Sequence, residues 1–570
     1  MLLQHGFIDK EKKGSVNEHT MERHLRTILQ DACAALSADV QGDAIEIQVP
    51  KEEFGDLSTP LAMGLAKPLR KAPRAIAEQI VQTVRANDVF EKVDIAGPGF
   101  INFTFAKPFL VAEMLRLLRE QDAFLREDVG QGRKIQIEFV SANPTGPLHL
   151  GHGRGAALGA ALANLLAEAG FIVEKEFYIN DAGRQVRLLG LSVYARYQDL
   201  LGRPVPFPED GYRGDYITDL AEAVRASHGD SYAGKAFDDV AEFFIDFAYL
   251  RMLDALKQDL ADFGVVFDTW QSERDLYREN LVEQGIDDLK RRGHIFEHEG
   301  AVWFRSTDFG DDKDRVLVKQ DGHYTYFTPD IAYNRKKLEK GFDEVIDIWG
   351  ADHHGYIPRM SAAIQALGHP KESFRVLLVQ MVSLLKAGQP VQMSKRAGEF
   401  ITLREIMDEI GPDTTKFLFL TRRSDSQLEI DIEVAKAQSS ENPVFYVRYA
   451  HARINSIFEK AREAGAPAGE APSVPDGIDA SLYNDDEYRL IRKLLLYPMM
   501  FRGAANTREP HRVTFYLQEL AAMFHQYYHK YRIITDDAAV TTVRLLLCQA
   551  VRIVLRHGLK ILGVQAPEKM

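Results

Sequence analysis

Two histidines three residues apart, His149 and His152, stand in the run Pro144-Thr-Gly-Pro-Leu-His-Leu-Gly-His-Gly153, where a β-branched stretch, Ile135 to Val140, gives way to an Ala- and Leu-rich helical one. A helix start offers unpaired N–H groups and a positive dipole end to phosphate. Glycines let backbone approach a nucleotide, and imidazoles can donate to phosphate oxygens as charge develops on them. As a zinc pair the same histidines would need further ligands, which are not evident. Cys33 and Cys548 are the only cysteines and lie far apart, so neither a disulfide framework nor a cysteine zinc site is encoded.

In its context the histidine motif resembles the HIGH signature of the class I aminoacyl-tRNA synthetases. Far downstream, Met393-Ser394-Lys395-Arg396-Ala397-Gly398 resembles that family's KMSKS loop, in the form arginyl enzymes carry. The resemblance implies ATP with Mg²⁺ as the substrate complex and no tightly bound protein metal site. His149, His152 and Lys395 are then the expected catalytic residues, the lysine following the triphosphate as charge builds on the leaving pyrophosphate. Gly151, Gly153, Met393, Ser394 and Arg396 are the expected ATP contacts. Gln392 stands where a first lysine is usual and brings no charge, with Arg396 a candidate substitute.

A third group joins Glu138, Ser141 and Asn143 to Tyr326-Phe-Thr-Pro-Asp330-Ile-Ala-Tyr333 and Gly350-Ala-Asp352-His-His354. Together these resemble the amino-acid pocket of arginyl-tRNA synthetases. A guanidinium is a planar fork of donors that a carboxylate accepts two at a time, so such a pocket needs a fixed Asp or Glu. Asp330 is the first choice. The resemblance gives Tyr326 the side-chain end of L-arginine, Ser141 and Asn143 its α-amino and carboxylate end, and Glu138 added negative charge, with Asp352 a further pocket residue. Asn180-Asp181-Ala-Gly183-Arg-Gln185 follows the second strand, where α/β ligand crevices open, and Asp181 also reads as a plain helix cap.

For the tRNA, Phe100 and Asn102 resemble base-contacting positions of an arginyl-specific N-terminal extension at the tRNA elbow. Tyr446, Tyr449 and Met570 resemble positions in the helical anticodon-binding domain, where unstacked bases can be received by aromatic or Met side chains. Tyrosines three apart on a helix also read as simple packing. Lys67, Arg70, Lys71, Arg74 and Arg85 form a basic track that reads equally as a solvated helix face.

The elements that must position these residues follow from periodicity. Residues 1–20 are polar and read as an extension. Residues 21–126 read as a small α+β domain, with Leu25, Ile28, Leu29, Cys33 and Leu36 on one helix face and strands at Asp43 to Val49 and Phe100 to Phe105. Residues 127–400 open with strand, Gly-rich turn, helix and the strand Phe171 to Tyr178, a βαβ unit of Rossmann type with a parallel sheet. A helical insertion is expected at about 200–290, and strands return at Ala301 to Phe304 and Val345 to Trp349. Residues 401–440 connect to an all-α domain at 441–570, in which Ala464 to Pro475 reads as a loop.

A chain of 570 residues exceeds what one core supports, and 45% hydrophobic with 27% charged residues is ordinary globular composition. The formal charge of −13 argues against indiscriminate coating of nucleic acid but leaves room for a local basic surface. No secretory leader and no uninterrupted apolar stretch of about 18 residues is found, so no membrane partner and a cytoplasmic location are expected. The family resemblance implies tRNA(Arg), L-arginine and ATP as partners, and a monomer. The rival readings are a synthetase for another amino acid, a non-catalytic RNA-binding relative and a small-molecule nucleotidyltransferase on the same core. The Tyr326/Asp330 segment, the intact His149, His152 and Lys395, and the tRNA-type appended domains respectively weigh against them.

Overall fold

The computed structural model describes residues 20–38, 40–391, 401–465 and 474–570. Thr20 is buried and caps the first helix, Met21–Ala35, its hydroxyl accepting from the Arg23 N–H at 3.4 Å. Three strands follow, β1 (Leu57–Thr59), β2 (Phe90–Ala96) and β3 (Phe100–Phe105), in the antiparallel order β1-β3-β2. Period-two alternation buries Ile101, Phe103 and Phe105 completely and turns Phe100, Asn102 and Thr104 to the other face. The Asp43–Val49 stretch does not make a strand. It forms a 3₁₀ turn, Gly42–Ala44, and a single bridge from Gln48 to Ser58, because the Arg26 guanidinium takes the carbonyls of Gly42, at 2.7 Å, and Ile45.

The middle of the chain forms a five-stranded parallel sheet. Its first strands are β4 (Lys134–Glu138), β5 (Ile172–Ile179) and β6 (Thr269–Ser272). An antiparallel sheet of β7 (Ile295–His298), β8 (Ala301–Phe304) and β9 (Arg315–Val318) intervenes before β10 (Glu344–Gly350) and β11 (Phe374–Val379). The order β11-β10-β4-β5-β6 puts the first strand at the centre, with chain crossovers departing to both sides of it. The Leu150–Glu168 helix packs on this sheet, so closely that a Cβ on Gly159 would lie 2.2 Å from the Phe139 ring.

In the stretch expected as a helical insertion, about 200–290, helices run to Asp262 before a strand follows. Arg184–Leu200, Asp215–His228 and Phe237–Asp262 pack on one another around Tyr197, Phe244 and Leu189. Residues 269–272 then return to the sheet as its edge strand. Beyond the core, β12 (Val382–Lys386), β13 (Gln389–Pro390) and β14 (Leu428–Asp431) form a small mixed sheet beside the Leu403–Ile410 and Pro412–Phe419 helices.

The last region is helical from Pro443 onward. Its Ala538–Ile561 helix is apolar and long enough to cross a membrane, yet two thirds of that stretch is buried against neighbouring helices, as in a core helix. Ion pairs join this region to the N-terminal one. Arg502 reaches the buried Glu22 and Glu127, Arg492 reaches Asp56 at 2.7 Å, Arg489 reaches Glu52 at 2.7 Å, and Lys107 meets Asp485 at 3.3 Å.

Candidate active site

At the C-terminal end of β4 two consecutive non-glycine residues are left-handed, Val140 with φ 69° and Ser141 with φ 40°. A β-branched residue there is costly, and such strain persists where the surroundings over-determine it. The turn aims the Ser141 hydroxyl at Glu138, to which it donates at 2.7 Å, while it accepts from the Tyr178 N–H at 3.1 Å. Central strand, neighbouring strand and turn are thereby pinned together.

The chain then enters the histidine motif. His149 is the N-cap of the Leu150–Glu168 helix, and its Nδ1 accepts from the N–H groups of Gly151 at 3.1 Å and His152 at 3.3 Å. The His152 Nδ1 accepts in turn from the His149 N–H at 3.3 Å, and the two rings stack with centroids 3.6 Å apart. With Nδ1 accepting, a neutral ring carries its hydrogen on Nε2. Burial, and then the neighbouring His149, press the His152 pKa down to about 3, so this ring is a neutral donor at physiological pH. Gly153 lets the helix start meet the Leu403–Ile410 helix, since a Cβ there would lie 2.7 Å from the Leu403 side chain.

Lys395, with Met393, Ser394, Arg396 and Gln392, lies outside the described residues. Its anchors do not. Thr402 forms a β-bridge with His149, and the Leu403 N–H donates to the Leu148 carbonyl at 2.7 Å, so the chain leaving the second motif is hydrogen-bonded to the first.

A carboxylate-rich pocket lies along the same strand ends. Asp330, in the first turn of the Phe327–Glu339 helix, accepts from the Tyr356 hydroxyl. Burial first, with Glu138 adding, pushes its pKa up to about 6. Glu273, just beyond β6, is pushed up to about 7 by burial and then by Asp330 and Asp181. The rings of Tyr178 and Tyr333 lie 4.5 Å apart beside them. Beneath, Lys337 is buried and pairs with Glu138 and with Asp347 at 2.9 Å. Burial works against its charge, but Asp347, Glu138 and Glu176 outweigh it and its pKa rises. Glu138 is thus committed to Lys337 and Ser141. Among the described residues no cation lies within ion-pair range of Asp330 or Glu273.

The structure brings Glu138, Ser141 and Asp330 together, and sets Asn143 nearby with its amide donating to Gln185 at 2.7 Å. It does not bring in the other two expected residues. Tyr326 is 90% exposed, and Asp352 is exposed on the Ala351–Tyr356 turn with His353 at 3.7 Å. The hydroxyl on Asp330 is that of Tyr356. Asp181 does not cap the helix that follows it, whose N-cap is Gly183. It is buried, accepting from Ser272 at 2.7 Å, from Tyr249 at 3.2 Å and from the Arg274 N–H at 3.1 Å, which fixes the end of β6. Glu273, Tyr356 and Lys337 were missed. Glu273 had a signal, since it follows the β-prone run Thr269-Trp-Gln-Ser272.

Three protein families match in succession: "Arginyl tRNA synthetase N terminal domain" at residues 23–105, "tRNA synthetases class I (R), catalytic domain" at 114–455, and "DALR anticodon binding domain" at 447–570. The arginine–tRNA ligase of Citrifermentans bemidjiense is 48% identical over 545 residues, covering 95% of this chain and 98% of the relative. That of Syntrophotalea carbinolica is 50% identical over 528 residues, covering 92% and 95%. The chain belongs to the arginyl-tRNA synthetases. The arginyl-tRNA synthetase of Thermus thermophilus, 22% identical, shares the fold with a TM-score of 0.75 over 96% of this chain and 100% of that one.

Membership makes the chain an enzyme, an arginine–tRNA ligase that uses ATP, and accounts for the terminal domains. In the N-terminal one Phe100 is half-buried and Asn102 buried on the outer face of β3, with exposed Arg74 donating to the Gly97 carbonyl of the β2–β3 turn at 3.4 Å. In the anticodon-binding one Tyr446 and Tyr449 both meet the His525 ring, and the Arg453 guanidinium lies over Tyr449 at 4.3 Å. Exposed Met570 lines a separate cavity of about 260 Å³ with Phe445 and Arg448.

Proposed function

We propose that the Asp330 and Glu273 carboxylates receive the guanidinium of L-arginine, and that the start of the Leu150–Glu168 helix receives the phosphates of ATP. The observation that carries this reading is the pair of half-buried carboxylates, raised in pKa by desolvation and by acidic neighbours, with no ion-pairing cation among the described residues. A bound guanidinium supplies that cation with a fork of donors. Glu138 acts through Lys337 and Ser141, holding the floor in place. Asn143 and Ser141 face the α-amino and carboxylate end, and Tyr326 and Asp352 make their contacts only once substrate is bound.

The arginine carboxylate attacks the α-phosphate of ATP, pyrophosphate leaves, and a terminal ribose hydroxyl of tRNA(Arg) takes the arginyl group from the adenylate, releasing AMP. No side-chain nucleophile is needed, so positioning and charge stabilisation supply the acceleration. The His149 ring and the neutral His152 ring donate Nε2–H to phosphate oxygens, Gly151 and Gly153 admit the nucleotide, and Lys395 with Met393, Ser394 and Arg396 follows the pyrophosphate. Mg²⁺ accompanies ATP as part of the substrate. Phe100 and Asn102 meet the tRNA elbow, while Tyr446, Tyr449 and Met570 meet the anticodon loop. The enzyme acts as a cytoplasmic monomer.

The test is exchange of labelled pyrophosphate into ATP with each amino acid, with and without arginine tRNA transcripts, using Lys395→Ala as control. Exchange confined to arginine supports the pocket assignment, and equal exchange with another amino acid overturns it.

A further inference from the structure

Apart from the strand-end site, a cavity of about 310 Å³ lies where the outer edge of β11, the segment after the Pro412–Phe419 helix and the start of the His511–Lys530 helix meet. Arg154, Arg422, Arg423 and Arg508 line it, with His511 alongside. Their charges are unevenly compensated. Arg154 is almost wholly buried and bonds only to carbonyls, those of Gln380, Ser426 and Arg423, each at 2.8 Å. Burial lowers its pKa to about 10, still charged at neutral pH. Exposed Arg422 has no carboxylate partner among the described residues. Arg508, buried, shares Glu344 with Arg375, two guanidiniums on one carboxylate. The acidic lining residues are already matched, Asp425 by Arg423 at 2.9 Å and Glu509 by Arg512 at 2.6 Å.

A surplus of positive charge enclosed in a chain of net charge −13 is not a general property of this molecule. Guanidiniums grouped around a partly closed space suit a tetrahedral oxyanion, whose oxygens accept several N–H bonds at once. We propose that this cavity is a phosphate-binding site separate from the ATP site, taking either a backbone phosphate of the bound tRNA or free phosphate. Because Arg154 follows Gly153 on the helix that begins with His149, an occupant here touches the same rigid element as the nucleotide at the other end of that helix's first turns.

The probe is His511, read through the ring signals of histidine-labelled full-length protein and assigned with His511→Gln. Glu509, Arg423, Arg512 and Asp425 are the charged groups that face it. Inorganic phosphate is expected to shift the His511 signals saturably in the wild type and in Arg291→Glu, an exposed control elsewhere. In Arg422→Glu the half-saturating phosphate concentration rises about fivefold or more, as for loss of one cationic contact, and in Arg422→Gln by less. If arginine tRNA transcripts abolish the phosphate response, and Arg422→Glu weakens their binding with a smaller salt dependence, the occupant is a backbone phosphate. If phosphate still titrates with tRNA bound, it is free phosphate. No saturable shift, or an unchanged one in a folded Arg422→Glu, overturns the site.

Discussion

The proposed amino-acid pocket and the helix start proposed to face the nucleotide sit on the same strand ends, yet burial drives their ionisable groups in opposite directions. It raises Asp330 to about 6 and Glu273 to about 7, and lowers His152 to about 3. In both places the charged form is penalised, but the outcomes differ in use. The carboxylates stay close enough to ionisation that an incoming cation can claim them. The imidazole stays neutral, and in the proposed site it donates to phosphate beside a helix dipole that already supplies the positive field. Under the proposed contacts, two substrates of opposite charge are sorted along one sheet edge.

The comparison breaks most visibly at Asp330. Asp330→Asn is expected to cost about 2–5 kcal/mol, the range for truncating one partner of a buried charge pair, which is roughly thirty- to several-thousand-fold in kcat/KM for arginine. Pyrophosphate exchange at varied arginine measures it, and a change confined to the KM for ATP would contradict the pocket. On the other side, His149→Ala removes a phosphate donor and a helix cap. A fall of about 10²–10³ in kcat is expected with the KM for arginine little changed. A rise in that KM matching the fall in kcat would erase the distinction between the two regions. Gly159→Ala strains the support common to both, because its Cβ meets the Phe139 ring. It should lower unfolding stability by about 1–3 kcal/mol in urea melts.

The smallest effect is with pH. Folded pKa values above the unfolded ones mean that these two carboxylates favour the folded state at low pH, an advantage lost as pH rises from about 4 through about 7. Arginine binds the ionised form. Its thermal stabilisation of the protein should therefore grow over the same window, and its KM should rise as pH falls below about 7, by at most roughly tenfold per unit for one group. His152, neutral throughout, contributes no inflection there. A KM for arginine flat from pH 8 to 6 would count against both carboxylates.

Much of this was legible in the residues. The βαβ start and the long C-terminal helices follow from short-range periodicity and turn chemistry, whereas Glu138, Ser141, His149 and His152 were picked out by resemblance to a family's motifs. What failed was non-local. The strand at 269–272 is four residues long and is recognisable mainly because β5 pairs with it, so Glu273 at its end went unseen. The Asp43–Val49 segment has strand-like residues, but Arg26 occupies two of its carbonyls. Asp181 looked like a local cap and instead binds Ser272, Tyr249 and the Arg274 N–H, 68 to 93 residues on in the chain. Tyr356, rather than Tyr326, found Asp330 because a crossover brings the Ala351–Tyr356 turn back over the helix start.

The ion pairs between the two terminal domains have a metric consequence. With Arg502 on Glu22 and Arg492 on Asp56, the N-terminal domain that carries β3 and the helical domain that carries Tyr446 and Met570 are tied to one another directly. Under the proposed contacts the two domains act as the jaws of a caliper on the RNA. The distance between a tRNA's elbow and its anticodon then becomes something the enzyme gauges, independently of the bases at either end.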